Sequence, residues 1–387
     1  MLIGCTLRMM MRGCELTDRS LSGLRVIRLT NRLTFGSAVH FVSYCEALRE
    51  LGAEQEIWCF LGGGTWLGKL EADGFPTRVL GLQKHGYRLS TSRALTRILA
   101  EAGADCVHAH SYEAALHVSR AKAAGVDVRL LVTHHESRLR WPRRILTWPY
   151  RTAPEVVISP SRSCGMRIRA WYGYPTERMV ALPRPLSDAH FSPPLRSETL
   201  AQELGIAGAY PVIAWVGRLQ KQKGHADLLH AFARVLRDYP AARLLLVGEG
   251  KHGPWLRSLS ERLAIGESVV FTGSRGDVPA LLANSDIFAC PSHSECSCNA
   301  VLEAMAGGKA VVSTPVGGPV DYISDGENGL LVPIADASAM ADALLRVAAD
   351  RDLAGRMGRA ARACAERSFT REQFVSRLAD IYAQAMQ

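Results

Sequence analysis

PSHSECSCNAVLEAMAGGKAVVSTPVGG, residues 291 to 318, sets two carboxylates, Glu295 and Glu303, eight positions apart around the start of a helix. Ser292, Ser294 and Ser297, with Asn299, offer capping hydroxyls and an amide ahead of the helical run Ala300 to Met305. Free backbone N–H groups and the positive end of the helix dipole then face one pocket, an arrangement that suits a diphosphate. Glu303 lies on an otherwise apolar stretch, where a buried carboxylate needs donors, and a ribose diol supplies them. Taken alone, the same pattern also describes a solvent-facing glutamate on an ordinary capped helix.

Working outward, short β-rich apolar runs alternate with amphipathic stretches, which predicts parallel sheets covered by helices. In the first half the strands read as Leu24 to Leu29, Gln55 to Phe60, Cys106 to His110, Val128 to Thr133 and Glu155 to Ser159. Helices are expected over Val39 to Leu51, Ser92 to Ala102, Ala114 to Ala124 and Ser161 to Trp171. A proline-rich segment, LPRPLSDAHFSPPL (Leu182 to Leu195), breaks the alternation and reads as an interdomain linker. Beyond it, PVIAWVG, ARLLLVG, SVVFTG, DIFACPS, KAVVST and NGLLVP form a second series of strands. Thr370 to Gln387 begins with an N-capping threonine and carries Phe374, Leu378, Ile381 and Tyr382 at helical spacing, a stripe that needs a surface to cover it.

A chain of 387 residues is too long for one ordinary core and suits two domains. Its 48% hydrophobic and 21% charged residues describe a soluble globular protein rather than a disordered or fibrous one. No uncharged apolar run reaches the length of a membrane span, and the first residues lack a secretory signal pattern. Ten scattered cysteines point to the cytoplasm rather than to a disulfide framework. Cys296 and Cys298 lack the second ligand pair that a zinc site wants, although His293 lies nearby. Charge is uneven: residues 1 to 190 hold 26 Lys and Arg against 16 Asp and Glu, whereas the remainder holds 20 against 21. The first half therefore expects an anionic partner. Its stretch RLRWPRRILTWPYR concentrates Arg138, Arg140, Arg143 and Arg144 with Trp141 and Trp148, a mixture found at a headgroup interface, on nucleic acid or on a solvated helix; an anionic membrane surface is the partner expected, and no nucleic acid.

VGRLQKQKG (Val216 to Gly224) brings Arg218 and Lys223 into a glycine-flanked loop after a strand, where two cations can meet a diphosphate and Gly217 lets the backbone approach. LLLVGEG (Leu244 to Gly250) ends another strand in a tight glycine turn. Together with VVFTG, ECSCNAVLEAMA, TPVGGPVDYI and DGENGLLVP, in that order, these segments resemble glycosyltransferase family 4. The resemblance runs from residue 24 to residue 387, more loosely in the first half through TNRLTFGSA, HAHS, VTHH and the linker.

The resemblance implies a GT-B α/β fold, two Rossmann-like doubly wound domains facing a cleft, with a C-terminal helix crossing back to the first. Residues 1–22 read as a loose extension, 23–190 as the acceptor-side domain, 200–367 as the nucleotide-sugar-binding domain and 368–387 as the crossover helix. It further implies that Arg218 and Lys223 bind phosphate, Glu295 lies against the donor sugar and Glu303 holds the ribose hydroxyls, with Asn299 and Gly217 beside them. Gly36 becomes the close-approach glycine under the diphosphate and His135 the cleft histidine. Four positions depart from the family pattern: Cys296 and Cys298 in the loop of Glu295, Ser37 for a glycine, and Arg184 for the linker's usual asparagine.

The activity implied is transfer of a sugar, with retention at the anomeric carbon, from a nucleotide-diphosphate sugar to a hydroxyl of a cell-envelope glycan or glycolipid. Arg218 and Lys223 would stabilise charge on the departing diphosphate, so no metal or other cofactor is called for. His108 reads as a packed structural residue. A nucleotide-sugar epimerase and a non-catalytic donor-binding subunit share the donor site and stand as alternatives. No G-x-G-x-x-G follows either domain's first strand, which argues against a nicotinamide-dependent oxidoreductase. The reading places the protein in the cytoplasm, at or near the inner face of the membrane.

Overall fold

Thirteen strands sort into two parallel sheets in the computed structural model, which describes residues 20–33, 37–60, 62, 64–82, 88–134 and 150–387. Gly36, His135, Arg138, Arg140, Trp141, Arg143, Arg144 and Trp148 lie outside the described residues. The first sheet contains β1 (Arg25–Thr30), β2 (Glu54–Cys59), β3 (Thr77–Val79), β4 (Cys106–Ala109), β5 (Arg129–Thr133), β6 (Val156–Ser159) and β7 (Met179–Ala181), in the order β3-β2-β1-β4-β5-β6-β7. The second contains β8 (Val212–Val216), β9 (Arg243–Val247), β10 (Val269–Gly273), β11 (Ile287–Cys290), β12 (Ala310–Ser313) and β13 (Leu330–Leu331), in the order β10-β9-β8-β11-β12-β13.

Strands such as Val156–Ser159 and Ile287–Cys290 are buried at every position, as a parallel sheet covered on both faces requires. The alternation of the pleat divides β1: Val26 joins one core, and Ile27 and Leu29 join the core on the opposite face. In the second sheet, Ile213 and Trp215 of β8 pack under the helices His225–Asp238 and Ala337–Ala349. Val212 and Ala214 turn to the face covered by the helix Asn299–Ala306.

The stripe of the last helix finds its cover on the first sheet. Arg371–Met386 starts at Thr370, whose Oγ1 accepts from Gln373 N at 3.3 Å, and its Phe374, Leu378, Ile381 and Tyr382 pack with Val26, Tyr44, Leu131 and Ile158. A helix that follows the second sheet therefore closes one face of the first. None of the described helices is long and apolar enough to cross a membrane.

The short edge strands β3 and β7 and the helix Leu67–Ala72 were not expected from sequence. The linker Leu182 to Leu195 contains a helical turn, Asp188–Phe191. Leu21, assigned to the loose extension, instead donates its N–H to Leu51 O at 2.8 Å and packs on the core that holds the last helix.

Candidate functional site

In the second sheet the strand order reverses direction between β8 and β11, which grow outward to opposite edges. The carboxyl ends of two such strands leave a crevice at the switch point, where open α/β sheets bind ligands. β8 feeds the loop containing Gly217, Arg218 and Lys223; β11 feeds the loop Pro291 to Cys298 and then the helix Asn299–Ala306. The topology thus brings together the segments that the sequence singled out separately.

Glycines set the spacing of these loops. Gly224 adopts φ 68°, and a Cβ there would sit 1.9 Å from Pro291 O, so the β8 and β11 loops meet backbone to backbone. Gly317, at φ 55°, packs against the Glu295 carbonyl, where a Cβ would approach to 2.6 Å. The TPVGG turn therefore lies directly under the loop that carries Glu295.

Inside this frame Lys223 Nζ donates to Glu295 Oε1, which also accepts from Ser292 Oγ at 2.9 Å. Burial works against the charge on Lys223, but Glu295 together with the sulfurs of Cys298 and Cys290 holds the ammonium pKa above its ordinary value. Arg218 is exposed and pairs with no carboxylate among the described residues. Of the two cations expected to meet a diphosphate, one is thus engaged by a carboxylate and the other is open. Glu303 is held by Arg184, whose Nη2 lies 2.7 Å from its Oε1, with His190 Nε2 at 3.9 Å. Glu303 Oε2 makes no hydrogen bond among the described residues and remains available to a hydroxyl.

The capping expected of the serines and Asn299 is not what forms. The helix Asn299–Ala306 is preceded by Cys298 at φ 53°, ψ 61°, with no side-chain cap. Ser297 Oγ is turned onto Asn299 Oδ1 at 2.7 Å, and Ser292 onto Glu295. The N–H of Val301 donates to Cys298 O at 3.0 Å, whereas no side chain among the described residues caps the N–H groups of Asn299 and Ala300, which leaves that end of the helix suited to an anion.

The two loop cysteines diverge. Cys296 Sγ lies 2.9 Å from Cys164 Sγ, whereas Cys298 Sγ lies 3.1 Å from Cys290 Sγ. Among the described residues, no group of three His, Cys, Asp or Glu side chains is arranged to hold a metal ion.

Sequence reasoning missed how the first sheet meets this loop. The helix Arg162–Tyr172 follows β6, and its first turn docks on the Glu295 region: Ser161 Oγ donates to Cys296 O at 2.7 Å, Ser163 Oγ to Gly317 O at 2.6 Å, and Arg167 to Glu295 O. Tyr322 OH returns a bond to Pro160 O at 3.0 Å. The only signal in the sequence was the Ser-x-Ser pair at a helix start, which by itself reads as a cap.

On the first-sheet side, His108 is fully buried and shares hydrogen bonds with Tyr382 OH at 2.8 Å and Thr133 Oγ1 at 2.7 Å, a packed structural role as expected. His134 stacks on Tyr172 at 4.9 Å between ring centroids and is likewise buried. A cavity of about 520 Å³ lined by Lys122, Arg129, Tyr150 and Arg178 opens where β5, β6 and β7 begin. It lies at the opposite end of those strands from the site.

Comparison with known proteins agrees with this frame. Residues 196–363 match the family model "Glycosyl transferases group 1" and residues 36–189 match "Glycosyltransferase Family 4". The N-acetyl-alpha-D-glucosaminyl L-malate synthase of Bacillus anthracis is 33% identical over 183 residues, 47% of this chain and 48% of the relative. The lipopolysaccharide core biosynthesis glycosyltransferase LpsE of Rhizobium meliloti is 35% identical over 176 residues, 46% of this chain and 49% of the relative. These matches span about half the length of the curated relatives. The solved structure of Anabaena Alr3699/HepE in complex with UDP superposes with a TM-score of 0.82 at 20% identity, covering 93% of this chain and all of that one, which shows a shared fold. With both halves matched and both sheets in the corresponding architecture, the chain belongs to glycosyltransferase family 4 and has the two-domain GT-B fold.

Proposed function

We propose that this chain is a retaining glycosyltransferase that moves a sugar from a nucleotide-diphosphate sugar to a hydroxyl of a cell-envelope glycan or glycolipid. The observation that carries the reading is the switch-point crevice, where open Arg218, the Lys223–Glu295 pair, the uncapped helix start and Glu303 share one set of strand-end loops. The names of relatives support it: one acts in lipopolysaccharide core biosynthesis, and a structural neighbour was solved with UDP.

Departure of the nucleoside diphosphate builds negative charge on the leaving oxygen. Arg218, Lys223 and the first N–H groups of the helix Asn299–Ala306 stabilise that charge, and fixed donors aimed at developing charge accelerate such a step. In this reading they, rather than a bound metal, neutralise the diphosphate. Glu303 receives the ribose hydroxyls on its free oxygen. Glu295, anchored by Lys223 and Ser292, lies toward the sugar and stabilises its developing positive charge; His135 and Gly36 contribute from the first domain. Retention follows from front-face attack guided by the departing phosphate, with no covalent nucleophile on the enzyme.

The experiment is a donor screen by thermal shift across UDP, GDP and ADP sugars, followed by turnover of the stabilising donor in Arg218→Ala. Loss of about a hundredfold in kcat is expected, and unchanged turnover of every accepted donor removes Arg218 from the mechanism. Isomerised donor in the absence of acceptor would point to an epimerase instead. The basic first half favours a lipid-linked or phosphorylated acceptor at the inner face of the membrane. Sedimentation with anionic liposomes is expected to weaken when Arg138, Arg140, Arg143 and Arg144 become Glu, and equal binding discards the membrane contact.

A further inference from the structure

Cys164 and Cys296 are 132 positions apart and belong to opposite lobes, yet their Sγ atoms are 2.9 Å apart. Both ends are held. Cys164 sits in the first turn of the helix Arg162–Tyr172, its N–H donating to Ser161 Oγ at 3.2 Å. Cys296 is fixed through its carbonyl by Ser161 Oγ, and its neighbour Glu295 is fixed through its carbonyl by Arg167. A disulfide needs about 2.05 Å between sulfurs, so a movement of less than an ångström closes the pair. The helix start and Arg167 favour a thiolate at this position. Hydrogen bonding from Cys296, ahead of Arg167, holds the Cys164 thiol below its ordinary range, and the same pairing pushes Cys296 up.

We propose that Cys164 and Cys296 form a reversible, peroxide-driven disulfide that staples the loop of Glu295 to the first lobe and stops turnover. The part concerning turnover rests on the glycosyltransferase reading; formation of the bond does not.

Cys164 is buried, so a water-sized oxidant, hydrogen peroxide, is the class that fits. The Cys164 thiolate attacks one peroxide oxygen, the O–O bond breaks, and sulfenic acid forms with release of hydroxide. Cys296 sulfur then attacks Cys164 sulfur; the S–O bond breaks, and the Cys296 proton leaves with the oxygen as water. The pair gives up two electrons and two protons in total, and peroxide becomes two waters. A dithiol reverses the reaction by exchange. The second sulfur pair, Cys290 and Cys298 at 3.1 Å, lies wholly within the second lobe and cannot staple the lobes together.

The staple acts on geometry. Glu295 would be held at the one spacing of the lobes that the disulfide permits, and small misplacement of a positioning group costs about a hundredfold in rate.

The test treats the full chain with hydrogen peroxide, alkylates remaining thiols and digests it for mass spectrometry without reductant. A peptide linking residues 164 and 296, a rise in melting temperature, and turnover lowered about a hundredfold and restored by dithiothreitol are expected. Cys164→Ser should keep reduced-state turnover and lose both the link and the peroxide response, while Cys290→Ser should keep the link. Linkage of 290 to 298 alone, or no linkage, overturns the proposal. So does a 164–296 link that leaves turnover unchanged. A link that forms in a protein with no donor turnover in either redox state overturns the glycosyltransferase reading and leaves the thiol pair standing.

Discussion

Arg184 Nη2 lies 2.7 Å from Glu303 Oε1, with the two side chains only 15% and 13% exposed. The pair joins the segment connecting the two sheets to the helix that lines the crevice. An arginine in that segment is thereby made part of the floor of the site, and its Nε is buried without a partner. A charge pair this sheltered couples its members more strongly than a surface pair does. The double-mutant cycle of Arg184→Ala and Glu303→Ala is expected to return a coupling of about 1–2 kcal/mol in urea unfolding. Additive losses would mean that the pair contributes nothing to the connection.

Arg218 and Lys223 share a loop but differ in what they leave behind. Lys223→Ala strips Glu295 of its cation in a place where the carboxylate is 11% exposed, and is expected to lower stability by about 2–3 kcal/mol as well as turnover. Arg218→Ala removes an exposed side chain that pairs with no carboxylate among the described residues, and should change stability by less than about 0.5 kcal/mol. Chemical denaturation of the two variants separates them, and equal stability losses would contradict the pairing.

Gly224 is required twice over, by its positive φ and by the backbone beside it. Gly224→Ala would press a methyl group into Pro291 O, and neither backbone can retreat without separating the β8 and β11 loops. A loss of at least about 2 kcal/mol is expected, together with loss of donor stabilisation in thermal shift. Gly276→Ala, where nothing lies within 4 Å of the added carbon, should be neutral and serves as the comparison.

That the last helix needs a covering surface was legible because Phe374, Leu378, Ile381 and Tyr382 form an apolar stripe, while its crossing to the first sheet was implied by the family resemblance alone. The central strands were legible for a similar reason, since runs such as VVIS and IFAC are buried throughout. β3 was not, because Thr77, Arg78 and Val79 carry no apolar run and pair only at the sheet edge. In the site, Glu295 and Lys223 could be named from their motifs, but their mutual pairing could not. Arg184–Glu303, Arg167–Glu295 and Cys164–Cys296 join positions more than a hundred residues apart, and nothing in local periodicity encodes such contacts. The serines of the loop of Glu295 misled for a physical reason. Ser292 and Ser297 donate their hydroxyl protons to Glu295 and Asn299, and in those orientations neither oxygen accepts from the helix N–H groups it was expected to cap.

His225 opens the helix after Lys223 with 1% of its surface exposed and its ring 4.1 Å from that of Trp215. Burial, ahead of the nearby Lys223 charge, lowers its pKa from 6.5 to about 3. The folded state therefore holds this imidazole neutral while the unfolded chain protonates it below about pH 6.5. Between those two values the unfolded state binds more protons, so stability rises with pH and is lost as pH falls. The slope from this one group approaches about 1.4 kcal/mol per pH unit through that window and vanishes above it. Replacing the ring with an uncharged one, as in His225→Phe, should remove that slope between pH 6 and 4, roughly the span lying inside the window. Urea unfolding of the two proteins at a series of pH values reads the difference directly. Parallel stability curves would mean that His225 is protonated without cost in the folded protein, and that the start of this helix is open to water rather than sealed beneath the loop of Lys223.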